Sequence, residues 1–206
     1  LPDVKHFGPL LLAWGVALVV MIAERDLGSS LLFFTLFVVM VYVATARSAY
    51  VVTGTVLFAA GATVAYQLFG HVQNRVEIWI DPFEDPKGAG FQIVEAAFAL
   101  ADGGLTGTGL GQGTPGKVPF AVTDKIFAAI GEELGLLGAT AILGAFLLLV
   151  GAGFRVAYEA GSPFEKILAA GLSALLGFQA FVFIGGLLRV LPLRGVTLPF
   201  VSYGGS

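Results

Sequence analysis

Five stretches of this chain, roughly Phe7 to Ala23, Leu27 to Ala46, Val51 to Phe69, Leu134 to Phe154 and Ile167 to Leu188, contain no Asp, Glu, Lys or Arg. A helix rises about 1.5 Å per residue, so about 20 apolar residues cross the hydrocarbon core of a bilayer. Each stretch reads as a spanning helix, the first being short for the task. Composition agrees: 57% of the 206 residues are hydrophobic and 12% charged, and the mean hydropathy is +0.90. A soluble enzyme and a disordered tail are thereby disfavoured. With 11 Lys+Arg against 14 Asp+Glu the net charge is -3, which offers no basic field to a nucleic acid. Cys is absent, excluding disulfides and thiolate metal sites. The opening on Leu1 and the stop at Ser206 inside a Gly-rich phrase suggest a piece of a longer polypeptide, and no signal peptide is visible in these residues.

The spans divide the chain into residues 7–69 with three helices, a polar loop over 70–133, residues 134–188 with two helices, and a terminal loop over 189–206, all within one polytopic domain of residues 1–206. With a cytoplasmic N-terminus, Lys5, Arg47, Arg155 and Lys166 fall on the inner side with fewer acids. The outer side then collects the acidic excess of the long loop. A raw Lys/Arg count votes the other way, but the positive-inside rule weakens for long loops, so the loop is placed outside. The expected fold is an all-α integral membrane protein of about five transmembrane helices, with a long extracytoplasmic loop carrying a short interfacial helix. Gly131 and Gly135, like Ser173 and Gly177, have the spacing of close helix packing.

Chemistry is expected in the two loops. Asp124 precedes a helix whose apolar residues recur at Phe127, Ile130, Leu134 and Leu137. It suits an N-cap, where a carboxylate accepts orphan backbone N–H groups. It equally suits a general base at the membrane surface, taking a proton from a sugar hydroxyl. Glu132 and Glu133 lie near the start of the apolar core, where a charge is expensive unless it faces protein or water. One should face inward, either pairing with Arg75 or Arg189 or shaping a site beside Asp124. Asp26 sits in the short link Glu24-Arg25-Asp26-Leu27-Gly28, pairing with Arg25 or contributing to an outer cavity.

Gly103 to Lys117 holds seven glycines, and Gly111 to Lys117 matches the first part of a phosphate-binding P-loop. Val118 stands where Ser or Thr must hold magnesium, and Pro119 follows in place of a helix, so that reading is rejected. There remains a loop with one cation, Lys117, which could close over a pyrophosphate with backbone N–H groups or simply connect. Arg75 to Pro82 alternates polar with apolar residues, as an interfacial segment anchored by Trp79 would. Arg75 is a candidate phosphate ligand or salt-bridge partner. Phe91 to Ala101 puts Phe91, Val94 and Phe98 on one helical face and Gln92 and Glu95 on another, too short to span.

The terminal phrase Leu191-Pro192-Leu193-Arg194-Gly195-Val196-Thr197-Leu198-Pro199-Phe200-Val201-Ser202-Tyr203-Gly204-Gly205-Ser206 closely resembles the signature of the FtsW/RodA/SpoVE family. Asp26-Leu27-Gly28 is similar to that family's Pro-Asp-Leu-Gly turn. Arg75 to Pro82 is similar to its Arg…Asp-Pro segment, and Thr123-Asp124…Gly131-Glu132-Glu133-Leu134-Gly135 to its outer-loop motif. The resemblance covers nearly the whole chain. It implies a peptidoglycan glycosyltransferase of about ten helices in the bacterial cytoplasmic membrane, which polymerises lipid II beside a class B penicillin-binding protein and other division or elongation proteins. This chain would supply the fifth through ninth helices. By that likeness Asp124 matches the essential aspartate and would deprotonate the 4-hydroxyl of the acceptor GlcNAc, with undecaprenyl pyrophosphate leaving. Arg75 and Lys117 would stabilise the pyrophosphate, with a divalent cation near Asp124 and Glu132 as the candidate cofactor, while Asp26, Glu133 and Ser202 would shape the cavity. Arg25, Lys125 and Arg194 depart from the family pattern; Lys125 favours the ionised form of Asp124 and weakens it as a base. The rival readings are a lipid II flippase and a noncatalytic scaffold. A flippase should show mid-membrane polar groups and a repeated half, neither of which is seen in the sequence.

Overall fold

The computed structural model describes residue 15 and residues 27–88, 90–113, 126–192 and 197–202. The first expected span, Asp26, Lys117 and Asp124 lie outside the described residues, as do the departures Arg25, Lys125 and Arg194. Among the described residues there are six helices and no strand: α1 (Leu27–Thr45), α2 (Ser48–Leu68), α3 (Gly70–Ile80), α4 (Phe91–Gly103), α5 (Ile126–Glu159) and α6 (Pro163–Leu187). Of these α1, α2, α5 and α6 are long and apolar enough to cross a membrane, so the chain is an all-α, multi-pass membrane protein.

The spans meet where glycine or serine removes bulk. Gly153 of α5 lies against Ser173 of α6, and Gly177 against Val150. Ser173 returns its hydroxyl to Ala169 O at 2.7 Å, so close approach leaves no polar atom unsatisfied. Gly171 carries α6 over Met40 and Leu36 of α1, and Gly54 of α2 sits on Val38 of α1. Ser173 and Gly177 thus pack as their spacing predicts. The link from α5 to α6 is made by a capping box. Ser162 Oγ accepts from Glu165 N at 3.2 Å, Ser162 N donates to Glu165 Oε2 at 3.3 Å, and Pro163 opens the helix. That first turn is polar, which is why α6 begins before the apolar run does.

Two expected segments differ in form. Arg75 to Pro82 reads as period two, but residues through Ile80 are the end of helix α3. In α4 the buried residues are Ile93, Val94, Ala96, Ala99 and Gly103, whereas Phe98 is exposed. Helix α4 keeps Val94 on its inward face but not Phe98; Ala96, Ala99 and Gly103 meet Phe127, Ala128 and Gly131 of α5. Leu198 joins this cluster from the terminal loop, beside Phe183, Ile184 and Leu187. Phe127 and Leu198 are almost wholly enclosed, at 1% and 0% exposure. Where water is the alternative environment, each such side chain stabilises by about 1.5–3 kcal/mol.

Candidate functional site

The loop after α4 is built into a break in α5. Gly135 has φ 65 and ψ -165, far from helical, and divides α5 into a short helix ending at Leu134 and the span that follows. An unbroken helix would bond Leu136 N–H to Glu132 O and Leu137 N–H to Glu133 O. Instead Leu136 N donates to Gly104 O at 2.9 Å and Leu137 N to Leu105 O at 3.2 Å. The freed carbonyls accept from the same loop: Thr108 N bonds Glu132 O at 2.9 Å and Gly109 N bonds Glu133 O at 3.0 Å. Thr108 Oγ1 adds a bond to Glu132 O at 3.1 Å. All four groups released by the break are therefore repaired by residues 104–109. A buried backbone group left unpaired costs about 1–3 kcal/mol, so the break and the loop require each other.

Glycine makes the graft possible. Gly107 (φ 82) and Gly135 face one another, and a Cβ on either would collide with the other's backbone nitrogen; one on Gly107 would also meet Glu133 O. Both need a left-handed backbone and a close approach at once. Gly135 is thus a backbone break, not the helix-packing residue its spacing suggests. Phe127, Ala128, Gly131 and Glu132 are the buried face of the short helix, while Leu134 and Leu137 point outward, at 37% and 62% exposure. The large apolar positions suit lipid, and the small ones admit α4 and the loop.

The graft brings Glu132 and Glu133 under the Gly-rich loop. Glu132 is 4% exposed. A Cβ on Gly113 would lie 3.0 Å from Glu133 Cγ and 3.2 Å from Glu132 Cδ, so the loop backbone passes directly over both side chains. Glu132 thus faces inward, as its depth demands. It does not do so by pairing with either expected arginine: Arg75 Nη1 is buried without a hydrogen-bond partner, and Arg189 is engaged elsewhere. Arg189 Nη2 donates to Trp79 O at 3.1 Å and to Ile80 O at 2.9 Å, and Trp79 Nε1 donates to Arg189 O at 2.8 Å. Trp79, expected as an interfacial anchor, is also half of this reciprocal contact. No sequence signal marked it, because its partners are more than a hundred residues apart.

Ser202 is 7% exposed and closes the terminal turn: its Oγ accepts from Leu198 N at 2.9 Å, and its N–H donates to Leu198 O at 3.0 Å. Gln179 of α6 fastens the same loop through Thr197 O at 3.0 Å. Ser202 therefore shapes the end of the spans by holding Leu198 in the core. On the side of the spans, α1, α2 and α6 enclose an apolar groove of about 360 Å³, lined among others by Phe34, Val38, Phe58, Phe178, Phe181 and Leu191. Among the described residues no three His, Asp or Glu side chains come together as a metal site.

These features define a class: a multi-pass helical membrane protein with a Gly-rich loop built into a break in one of its long helices. The family model described as FTSW_RODA_SPOVE, Cell cycle protein, matches residues 2–206, and the chain belongs to that family. It is 52% identical over 206 residues to "Peptidoglycan glycosyltransferase RodA" of Mycobacterium tuberculosis (strain ATCC 25618 / H37Rv), covering 100% of this chain and 44% of the relative. It is 38% identical over 202 residues to "Probable peptidoglycan glycosyltransferase FtsW" of Geobacter metallireducens, covering 97% of this chain and 54% of the relative. A solved chain described under "Structural coordination of polymerization and crosslinking by a peptidoglycan synthase complex" superposes with a TM-score of 0.78 at 28% identity, over 100% of this chain and 57% of that one. The chain spans about half the length of the curated relatives it matches.

Proposed function

We propose that this chain forms about half of a ten-helix peptidoglycan glycosyltransferase of the bacterial cytoplasmic membrane, polymerising lipid II outside the cell. The observation that carries the reading is the grafted break. It pins the Gly-rich loop over Glu132 and Glu133, next in sequence to the segment bearing Lys117 and Asp124, in a chain 52% identical to a protein named as such a transferase. The α3 and α4 helices would then lie at the outer interface.

In this reading Asp124 removes the proton from the 4-hydroxyl of the acceptor GlcNAc as that oxygen attacks the anomeric carbon of the lipid-linked donor. The bond from that carbon to the pyrophosphate oxygen breaks with inversion, and undecaprenyl pyrophosphate departs. Arg75 and Lys117 stabilise the negative charge that develops on it. Glu132 and Glu133, with Asp26 and Ser202, shape the cavity. A divalent cation held near Asp124 and Glu132 would supply further charge neutralisation for the pyrophosphate. The apolar groove offers room for part of an isoprenoid chain. A class B penicillin-binding protein is the proposed partner, in keeping with a structural neighbour from a peptidoglycan synthase complex.

The test compares lipid II polymerisation by the full-length protein and its Asp124→Ala variant, with the partner transpeptidase inactivated and expression matched. Loss of a general base should lower the rate about 100-fold to 10,000-fold. Equal glycan from both would reduce Asp124 to a helix cap. No glycan from either, with lipid II still crossing the bilayer, would favour a flippase.

A further inference from the structure

Helix α6 ends in a left-handed turn that a glycine would make more cheaply. Arg189 N donates to Gly186 O at 3.4 Å and Val190 N to Gly185 O at 2.7 Å, the paired bonds of a Schellman motif. The residue between them, Arg189, has φ 60. Glycine is usual there because any side chain costs about 1–2 kcal/mol in that conformation. An arginine held in such a backbone points to a role for its side chain.

That side chain crosses to the end of α3. It supplies the donors for the carbonyls of Trp79 and Ile80, two of the orphan acceptors of the last turn, in a helix with no basic residue of its own there. Trp79 answers with its indole N–H on Arg189 O. Helix α3 has no buried residue, and its helix packing is against α2. The Trp79–Arg189 contact thus ties the end of α3 to the end of α6, where Leu187 and Leu198 share the buried cluster. One helical turn before Trp79, on the same side of α3, stands Arg75, whose Nη1 is buried without a hydrogen-bond partner.

We propose that Arg189 is a positioning residue for substrate: by locking the end of α3 to α6 it holds the Arg75 guanidinium where it can take a phosphate of the lipid-linked donor. This rests on the polymerase reading for its substrate, but not for its geometry. Arg189 touches no substrate, and its effect passes through Arg75.

The experiment uses the full-length protein and two variants. Arg189→Gly deletes the fork while relaxing the left-handed backbone, so folding is preserved; Trp79→Phe removes only the returning N–H. Two quantities are read, the kinetics of lipid II polymerisation and the equilibrium binding of undecaprenyl pyrophosphate. Losing hydrogen bonds from a charged group should raise KM and weaken binding about tenfold in Arg189→Gly, with kcat within about twofold. Trp79→Phe should give a smaller change in the same direction. Adding Arg189→Gly to Arg75→Ala should change neither quantity further, because the lock then positions nothing. Unchanged KM and binding in Arg189→Gly, additivity with Arg75→Ala, or a loss confined to thermal stability would overturn the proposal. If the wild type binds the pyrophosphate lipid but makes no glycan, the polymerase reading falls and the binding series alone decides the role of Arg189. No binding by the wild type would overturn both.

Discussion

Two helix contacts mark opposite extremes of how this molecule is packed. At the grafted break, α5 is joined to the loop after α4 by backbone hydrogen bonds in both directions, through Gly107 and Gly135. At the α1–α2 crossing, Gly54 rests on Val38, Phe34 lies 5.7 Å from Phe58 between ring centres, and most of α2 is exposed. The first contact is directional, with four backbone groups paired in register. The second consists of apolar contacts that an acyl chain could replace with little change in energy. Precision is thus concentrated beside Glu132 and Glu133, while the wall of the apolar groove is held loosely.

The sharpest way to break this contrast is at the graft. Gly135→Ala or Gly107→Ala combines left-handed strain with a backbone collision, and should destabilise by at least about 3 kcal/mol. Loss of monodisperse protein in detergent, or a large fall in Tm, would show it; wild-type Tm in both variants would mean that the break is not needed. At the α1–α2 crossing, Gly54→Ala places a Cβ 2.8 Å from Val38 Cγ2. A valine side chain can turn away, so the loss should be about 1 kcal/mol, at the low end of overpacking. A drop as large as that of Gly135→Ala would erase the distinction between the two contacts. On the open face of α2, Val56→Leu enlarges a residue already 62% exposed, and Tm should change by less than the equivalent of about 0.5 kcal/mol. A clear loss there would reveal that another helix covers α2 in the full-length protein.

Particular residues show how far sequence reading reached. The runs at 27–46, 51–69, 134–154 and 167–188 fall on α1, α2, α5 and α6, within a few residues except that α5 begins eight residues early, with the short helix before the break at Gly135. At least one of Glu132 and Glu133 was expected to face inward, and Glu132 is the buried one. Phe98 was expected on the face with Val94, yet Phe98 is exposed and Val94 buried. Helix α4 turns Ile93, Val94, Ala96 and Ala99 inward and leaves Phe98 out, so the size of an apolar side chain does not choose the face. The helix beginning near Asp124 was read as continuous through Leu137. A glycine within an apolar run gives no sign of whether it packs or breaks, because that depends on whether a distant loop can repair the backbone.

Apolar length against bilayer thickness was enough to establish the spans, because that requirement acts on each segment separately. The paired left-handed glycines, the inward face of α4 and the Trp79–Arg189 lock belong to the assembled molecule alone. Each joins groups far apart in the chain, and each contact is favourable only once both partners are already in place.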